Sequence, residues 1–369
     1  MRVGLDARKL RDFGIGTYIR GLLETFVALG DPEELVVYLP PGVTAPLPGP
    51  RTGQLAPRTE AARPYSLGEL WRLALDARRD QVQLFHAPHY VCPPLLPCPA
   101  VVTIHDLIHL RFPEHRRRPL ALYARVMLGF AVRRAARVIT VSQSTRRDLE
   151  AWLRVPPARI RVIPNGVDAR FRPAEDPAAV DRALATRGIT RPYWLFVGNP
   201  LPHKNLDGLL AAYAGLPVEL GRLVLAGIPP GARPGVEQGC VRRGLGGRVV
   251  TLAPLPAETM PVLYQRATAL VCPSFWEGFG LPVLEAMACG TPVIAADRGA
   301  LPEVLDGAGV LVDPTDVDAL REAMYTLAAD GRLRAALRDA GLARARRFSW
   351  RDAAEATLAV YREVLGREA

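Results

Sequence analysis

Glu277 and Glu285 stand eight positions apart in the run PSFWEGFGLPVLEAMACGTPV, residues 273–293, on either side of a glycine-rich turn. A carboxylate accepts two hydrogen bonds from neighbouring hydroxyls, which is the chemistry needed to hold a ribose or a sugar ring. Between the two glutamates, Gly278-Phe279-Gly280-Leu281 lead into a short helix whose first turn suits Pro282 and whose end suits Gly290. Backbone that can approach closely, together with the positive end of a helix, favours an anion there, most naturally a phosphate. By itself the run is also compatible with a turn that only starts a helix, so other residues must decide.

Lys204 is the next such residue. Lys9 and Lys204 are the only lysines among 47 basic side chains, so this chain uses arginine for ordinary surface charge. A compact ammonium suits a phosphate. The chain's three asparagines, Asn165, Asn199 and Asn205, lie in loops rich in Gly or Pro, two of them flanking Lys204. Asn205 can cap a helix beginning at Leu206, which puts Lys204 and His203 at a helix N-terminus. His105-Asp106 ends a strand-like run, and Phe13-Gly14-Ile15-Gly16-Thr17-Tyr18 follows the first strand and leads into a helix from about Thr17. The third glycine of a dinucleotide fingerprint is absent there.

Apolar runs of strand length alternate with helical stretches: Val3–Leu5, Leu35–Leu39, Leu84–His86, Ala100–Ile104, Val138–Val141 and Ile160–Ile163 in the first half. Pro164 to Pro177 is rich in Pro, Gly and charge, and the alternation restarts at Trp194–Val197. At 369 residues two cores are expected. Two doubly wound α/β domains follow, 1–170 and 171–350, in which loops after the strands carry the ligands.

The formal charge is +10, and all of the excess lies in residues 1–170, with 25 Lys and Arg against 15 Asp and Glu. That points to an acidic partner for the first half. The sharper form is peripheral contact with anionic membrane through His115–Arg118 and the basic helix from about Pro119 to Ala136, which carries Arg125, Arg133 and Arg134 around Leu122, Val126 and Phe130. No recognised nucleic-acid motif accompanies the basicity. The five cysteines are scattered and odd in number, which argues against a disulfide framework, and Cys272 and Cys289 read as buried thiols. With no signal-peptide pattern and no long apolar span, the expected place is the cytoplasm, at the inner face of the membrane if the basic half docks.

Taken together these segments resemble the retaining glycosyltransferases of family 4. The likeness runs through GIGTY at 14–18, TIHDLIHLRFP at 103–113, VITVSQSTRRDL at 138–149, IPNGVD at 163–168, PHKNLDGLL at 202–210, the glutamate run and FSW at 348–350. It implies the GT-B fold, two facing Rossmann-like domains with an interdomain cleft, and a C-terminal helix of about 351–369 packing back on the first. It also implies a nucleotide-diphosphate sugar as donor, GDP-mannose ahead of a UDP-sugar, and a glycan or lipid-linked acceptor of surface polysaccharide synthesis.

Carried over by position, Lys204 and the amides after Glu277 meet the diphosphate and Glu285 the ribose. Glu277 with Gly278, Phe279, Gly280 and Leu281 faces the transferred sugar, His105 reaches that sugar from the first domain, and Gly14 and Gly16 line the phosphates. Family members commonly carry an arginine where Asn199 or His203 stands, so neutralisation here rests on Lys204, the helix dipole and His203. With a cation and helix ends available and no compact ligand cluster, neither metal nor cofactor is expected. Rival readings are a nucleotide-sugar epimerase, a phosphorylase, for whose pyridoxal phosphate two lysines offer few anchors, and a non-catalytic nucleotide- or nucleic-acid-binding protein.

Overall fold

The computed structural model describes residues 1–32, 34–43, 55–59, 67–112 and 118–367, and within them the chain divides into two units. The first comprises Met1–Gly166 and Ser349–Ala369, the second Val167–Phe348. The change of unit falls inside the IPNGVD segment, ahead of the expected boundary at 170. His115–Arg117 lie outside the described residues.

The first unit runs β1 (Arg2–Asp6), α1 (Phe13–Leu29), β2 (Glu34–Leu39), β3 (Leu55–Thr59), α2 (Leu67–Arg79), β4 (Leu84–Ala87), β5 (Ala100–Ile104), α3 (Ile108–Arg111), α4 (Arg118–Arg134), β6 (Arg137–Thr140), α5 (Gln143–Leu153) and β7 (Ile160–Val162). Its seven strands are parallel, in the order β3-β2-β1-β4-β5-β6-β7. Helices cover both faces, and β2 shows the consequence: Leu35, Val37 and Leu39 join the core under α1, while Val36 and Tyr38 join the core under α2 and α4. β3 escapes the hydropathy pattern because Pro57 interrupts it; the strand is at the sheet edge, where a residue without an N–H is tolerated.

The second unit runs α6 (Pro177–Ala185), β8 (Tyr193–Val197), α7 (Leu206–Ala214), β9 (Arg222–Ala226), α8 (Arg233–Arg242), β10 (Val249–Leu252), α9 (Met260–Gln265), β11 (Ala269–Cys272), α10 (Leu281–Ala288), β12 (Val293–Ala296), α11 (Leu301–Leu305), β13 (Val310–Val312), α12 (Val317–Ala329) and α13 (Gly331–Ala345). Its six strands are again parallel, ordered β10-β9-β8-β11-β12-β13, the dinucleotide-fold order.

The last helix, α14 (Trp350–Val364), belongs to the first unit and packs on α1. A Cβ on Gly21 of α1 would stand 2.3 Å from Trp350 Cδ2, so glycine is what lets the indole lie against that helix. Deeper in, Tyr361 OH meets His86 Nδ1 at 2.6 Å, His86 Nε2 meets Thr103 Oγ1 at 2.8 Å, and Tyr18 OH meets the same Thr103 oxygen at 2.9 Å. The network joins α14 to β4, β5 and α1, and every member is buried, so each polar atom depends on the others. All five cysteines are buried free thiols, and burial pushes Cys272 up to about 12.

Two outcomes are expected. Tyr361→Phe leaves His86 Nδ1 buried without its partner and costs about 1–3 kcal/mol in urea unfolding. Burial lowers His86 from 6.5 to about 3, so between those values the unfolded chain binds a proton that the folded chain does not. The contribution of His86 is complete above pH 6.5 and is lost as pH falls toward 3; unfolding followed against pH shows this loss, and His86→Gln flattens it.

Candidate functional site

In the second sheet the strand order reverses between β8 and β11, and the carboxyl ends of two such strands are where doubly wound sheets bind ligands. Lys204 comes from the loop after β8, in a 3₁₀ turn at Pro202–Lys204, and Glu277 from the loop after β11. The Lys204 ammonium Nζ donates to Glu277 Oε1 at 2.7 Å, and Ser274 Oγ donates to the same oxygen at 2.6 Å. Both charged side chains are largely buried, 18% and 10% exposed. The two residues assigned separately to phosphate and sugar are therefore first of all partners of each other. Glu277 Oε2 accepts no hydrogen bond from the described residues.

Four strand-following loops hold that pair. Asn205 adopts a left-handed conformation, φ 53°, and its Oδ1 accepts from Gly208 N at the start of α7. Its Nδ2 donates to the carbonyls of Pro273 at 3.1 Å and Pro314 at 2.7 Å, tying the loop after β8 to those after β11 and β13. Phe275 N donates to the His203 carbonyl at 2.7 Å, and the His203 side chain is buried. From the loop after β12, Ala300 N donates to the Glu277 carbonyl, and a Cβ on Gly299 would stand 2.6 Å from that oxygen.

The backbone after Glu277 turns through Gly280, φ 97°, into α10. The amide N–H groups of Gly278, Phe279 and Gly280 find no acceptor among the described residues, and they lead to the positive end of the helix. The Phe279 ring packs edge-on against Phe348 at 5.8 Å, so this residue offers a ligand only its backbone. Leu281 is the first residue of α10, and Glu285 lies one turn in, its Oε2 accepting from Tyr264 OH at 2.6 Å. Burial raises the Glu285 carboxyl to about 7, with Asp168 adding to the rise and the Tyr264 hydrogen bond and Arg170 opposing it.

In the first unit, His105 Nε2 donates to the Pro88 carbonyl at 3.0 Å, and its ring meets Tyr18 edge-on at 4.8 Å. Burial lowers its pKa, so the ring is neutral near pH 7 with Nδ1 as the acceptor. Gly14 and Gly16 depart from the reading of a loop. α1 begins at Phe13 rather than Thr17, Gly16 N is bonded to Asp12 O, and a Cβ on Gly16 would stand 2.4 Å from Leu10 O. Gly16 is therefore a packing glycine whose amide is taken, whereas Gly14 is exposed in the first turn. Among the described residues no group of three or more His, Cys, Asp and Glu side chains could hold a metal ion, and no helix is long and apolar enough to cross a membrane.

Residues 14–171 match the family described as Glycosyltransferase Family 4, and residues 185–344 match Glycosyl transferases group 1. O-antigen chain mannosyltransferase B of Escherichia coli is 34% identical over 81% of this chain and 79% of its own length. The chain belongs to the group 1 glycosyl transferases. A D-inositol 3-phosphate glycosyltransferase of Mycolicibacterium paratuberculosis is 38% identical over 63% of this chain, which spans 53% of that relative. Among solved structures, sucrose-phosphate synthase from Thermosynechococcus elongatus superposes with a TM-score of 0.81, 24% identity and 99% of both chains covered. Anabaena HepE, in a complex with UDP and glucose, gives 0.80 at 20% identity over 98% of this chain and all of that one. The two parallel-sheet units of this glycosyltransferase are thus those of a GT-B fold.

Four residues that hold the candidate site residues escape the motif reading: Ser274, Tyr264, Gly299 and Ala300. Ser274 was within reach, because it stands three residues before Glu277 in a strand-following loop. Tyr264 was not, being 21 residues from Glu285 and on another helix. Ser274→Ala removes a hydrogen bond to a charged oxygen, so kcat/KM for transfer should fall about ten- to a hundredfold, as initial rates at limiting donor will show.

Proposed function

We propose that this glycosyltransferase moves a hexose from a nucleotide-diphosphate sugar to a hydroxyl of a glycan or lipid-linked acceptor, with retention at the anomeric carbon, in the assembly of a surface polysaccharide. The observation that carries the reading is the Lys204–Glu277 pair beyond the carboxyl ends of β8 and β11, beside unpaired amides and the N-terminus of α10. Mannose is put first, with GDP-mannose as donor, on the likeness to the O-antigen mannosyltransferase; the UDP and glucose complex of Anabaena HepE supports a UDP-sugar as the next choice.

In this reading the bond from the anomeric carbon to the diphosphate oxygen breaks while the acceptor oxygen bonds to the same face. The acceptor proton passes to the departing phosphate, so no protein nucleophile is required. Lys204 and the Gly278–Gly280 amides hold the charge that develops on the diphosphate. Glu277 Oε2 accepts from a sugar hydroxyl, and Glu285 accepts from the ribose. His105, through the Nδ1 left open by its bond to Pro88, accepts from the transferred sugar. The family pattern assigns Gly14, exposed in the first turn of α1, to the phosphates. Metal independence belongs to the same proposal, with Lys204 and the helix end in place of a divalent cation.

The first half of the chain supplies the acceptor side. On α4, Leu122 and Val126 are 64% and 60% exposed one turn apart, with Arg125 and Arg133 exposed beside them. Such a face suits the anionic headgroups around a lipid-linked acceptor at the inner surface of a membrane.

Lys204→Ala should lower kcat about 10²- to 10³-fold in a radiolabelled-sugar transfer assay, and a parental rate would remove the phosphate assignment. Proton NMR of the product should show the donor's anomeric configuration, and EDTA should leave the rate unchanged. Loss of transfer in chelator that Mg²⁺ restores would end the metal-independent reading. Leu122→Glu with Val126→Glu should abolish sedimentation with phosphatidylglycerol vesicles while leaving transfer to a water-soluble acceptor intact.

A further inference from the structure

Tyr264 stands outside the glycine-rich run, the cationic loop and the strand ends, yet its hydroxyl is bonded to the glutamate assigned to the ribose. The residue is completely buried on α9, with its OH 2.6 Å from Glu285 Oε2. Its ring is fixed edge-on against Phe171 at 5.8 Å, and its carbonyl accepts from Thr291 Oγ1 and from Ala267 N. A phenol held by its ring and its backbone cannot follow a moving carboxylate. The carboxylate must therefore take the orientation that the phenol sets.

The geometry points to Tyr264 as a positioning residue for donor binding, a fixed hydrogen-bond donor that occupies Oε2 of Glu285 and turns Oε1 toward the nucleotide's ribose hydroxyls. The inference rests on the reading that Glu285 holds the ribose. Glu285 Oε1 accepts no hydrogen bond from the described residues, so the oxygen opposite the phenol is the one left for a diol. An ionised carboxylate is acceptor-only and can take both ribose hydroxyls as donors, whereas the protonated acid presents an O–H in one of those places.

Ionisation is finely held at this position. Around Glu285 stand Tyr264 from α9, Asp168 and Arg170 from the segment after β7, and Cys289 at the end of its own helix. Arg170 is itself paired with Asp168 at 2.9 Å, so the carboxylate receives little net help from that side. Burial and Asp168 push the proton on, while the phenol and Arg170 push it off, and the balance falls at about 7. Loss of the phenolic O–H moves the balance toward the acid, and the ribose then meets a group with a proton in the wrong place.

The test uses Tyr264→Phe, which keeps the ring and its packing, beside Glu285→Gln in the full chain. In steady-state transfer Tyr264→Phe should raise KM for the donor about ten- to a hundredfold with kcat near the parental value, because the ribose contact is made equally in ground and transition states. The acid limb of donor kcat/KM, near pH 7 in the parent, should move to higher pH, and calorimetric titration with GDP and UDP at pH 6 and pH 8 should show the same displacement. Glu285→Gln should raise KM and abolish the limb. If Glu285→Gln leaves KM at the parental value, the ribose assignment fails and the inference goes with it. If Glu285→Gln raises KM but Tyr264→Phe leaves both KM and the limb in place, the ribose assignment stands and the positioning role of Tyr264 is overturned. An unchanged melting temperature in Tyr264→Phe, measured alongside, separates either outcome from loss of the fold.

Discussion

The ion pair between Lys204 and Glu277 is the interaction around which the second unit is arranged. Two charges from loops more than seventy residues apart are brought to 2.7 Å in surroundings that shield them from water. Such a pair is stable only if its remaining hydrogen-bonding capacity is met and its geometry is fixed from outside. Ser274 goes part of the way to the first by sharing Oε1, Oε2 accepting nothing from the described residues, and Asn205 meets the second by bolting three loops together through two carbonyls. The doubly wound order makes this possible, since β8 and β11 are neighbours from which successive crossovers depart in opposite directions.

The pair has a consequence for anion binding. Lys204 cannot act as an uncompensated positive charge, because Glu277 neutralises it before any ligand arrives. On the proposed donor reading, attraction for a diphosphate comes largely from directed hydrogen bonds: the ammonium's donors, the amides of Gly278 to Gly280 and the end of α10. This is electrostatic preorganisation, in which polar groups are fixed by loops that need not move when charge develops.

Much of this was legible in the sequence, and what was not has physical reasons. Uniform apolar runs such as Trp194–Val197 and Ala269–Val271 announce strands covered on both faces, and the Pro282 to Gly290 span announces a helix with its stop. β3 was hidden because Pro57 is forbidden in an interior strand but permitted at an edge. The start of α1 was misplaced because Gly14 and Gly16 look like a loop, whereas Gly16 is glycine to let the backbone of Leu10 approach. The types of the site residues could be read from the chain, but their pairing could not. Nothing in the spacing says that Lys204 and Glu277 touch, or that a tyrosine 21 residues away fixes Glu285, because those facts belong to strand order rather than to local pattern.

If Lys204, poised by Glu277, recognises the second phosphate of the donor nucleotide, its loss costs the protein that phosphate and little else. Calorimetric affinities of GDP and GMP for the parent and for Lys204→Ala test it most directly, since the two ligands differ only in that phosphate. The parent should prefer GDP, and the preference should collapse in Lys204→Ala while GMP affinity holds. An equal GDP-to-GMP ratio in the two proteins would contradict it.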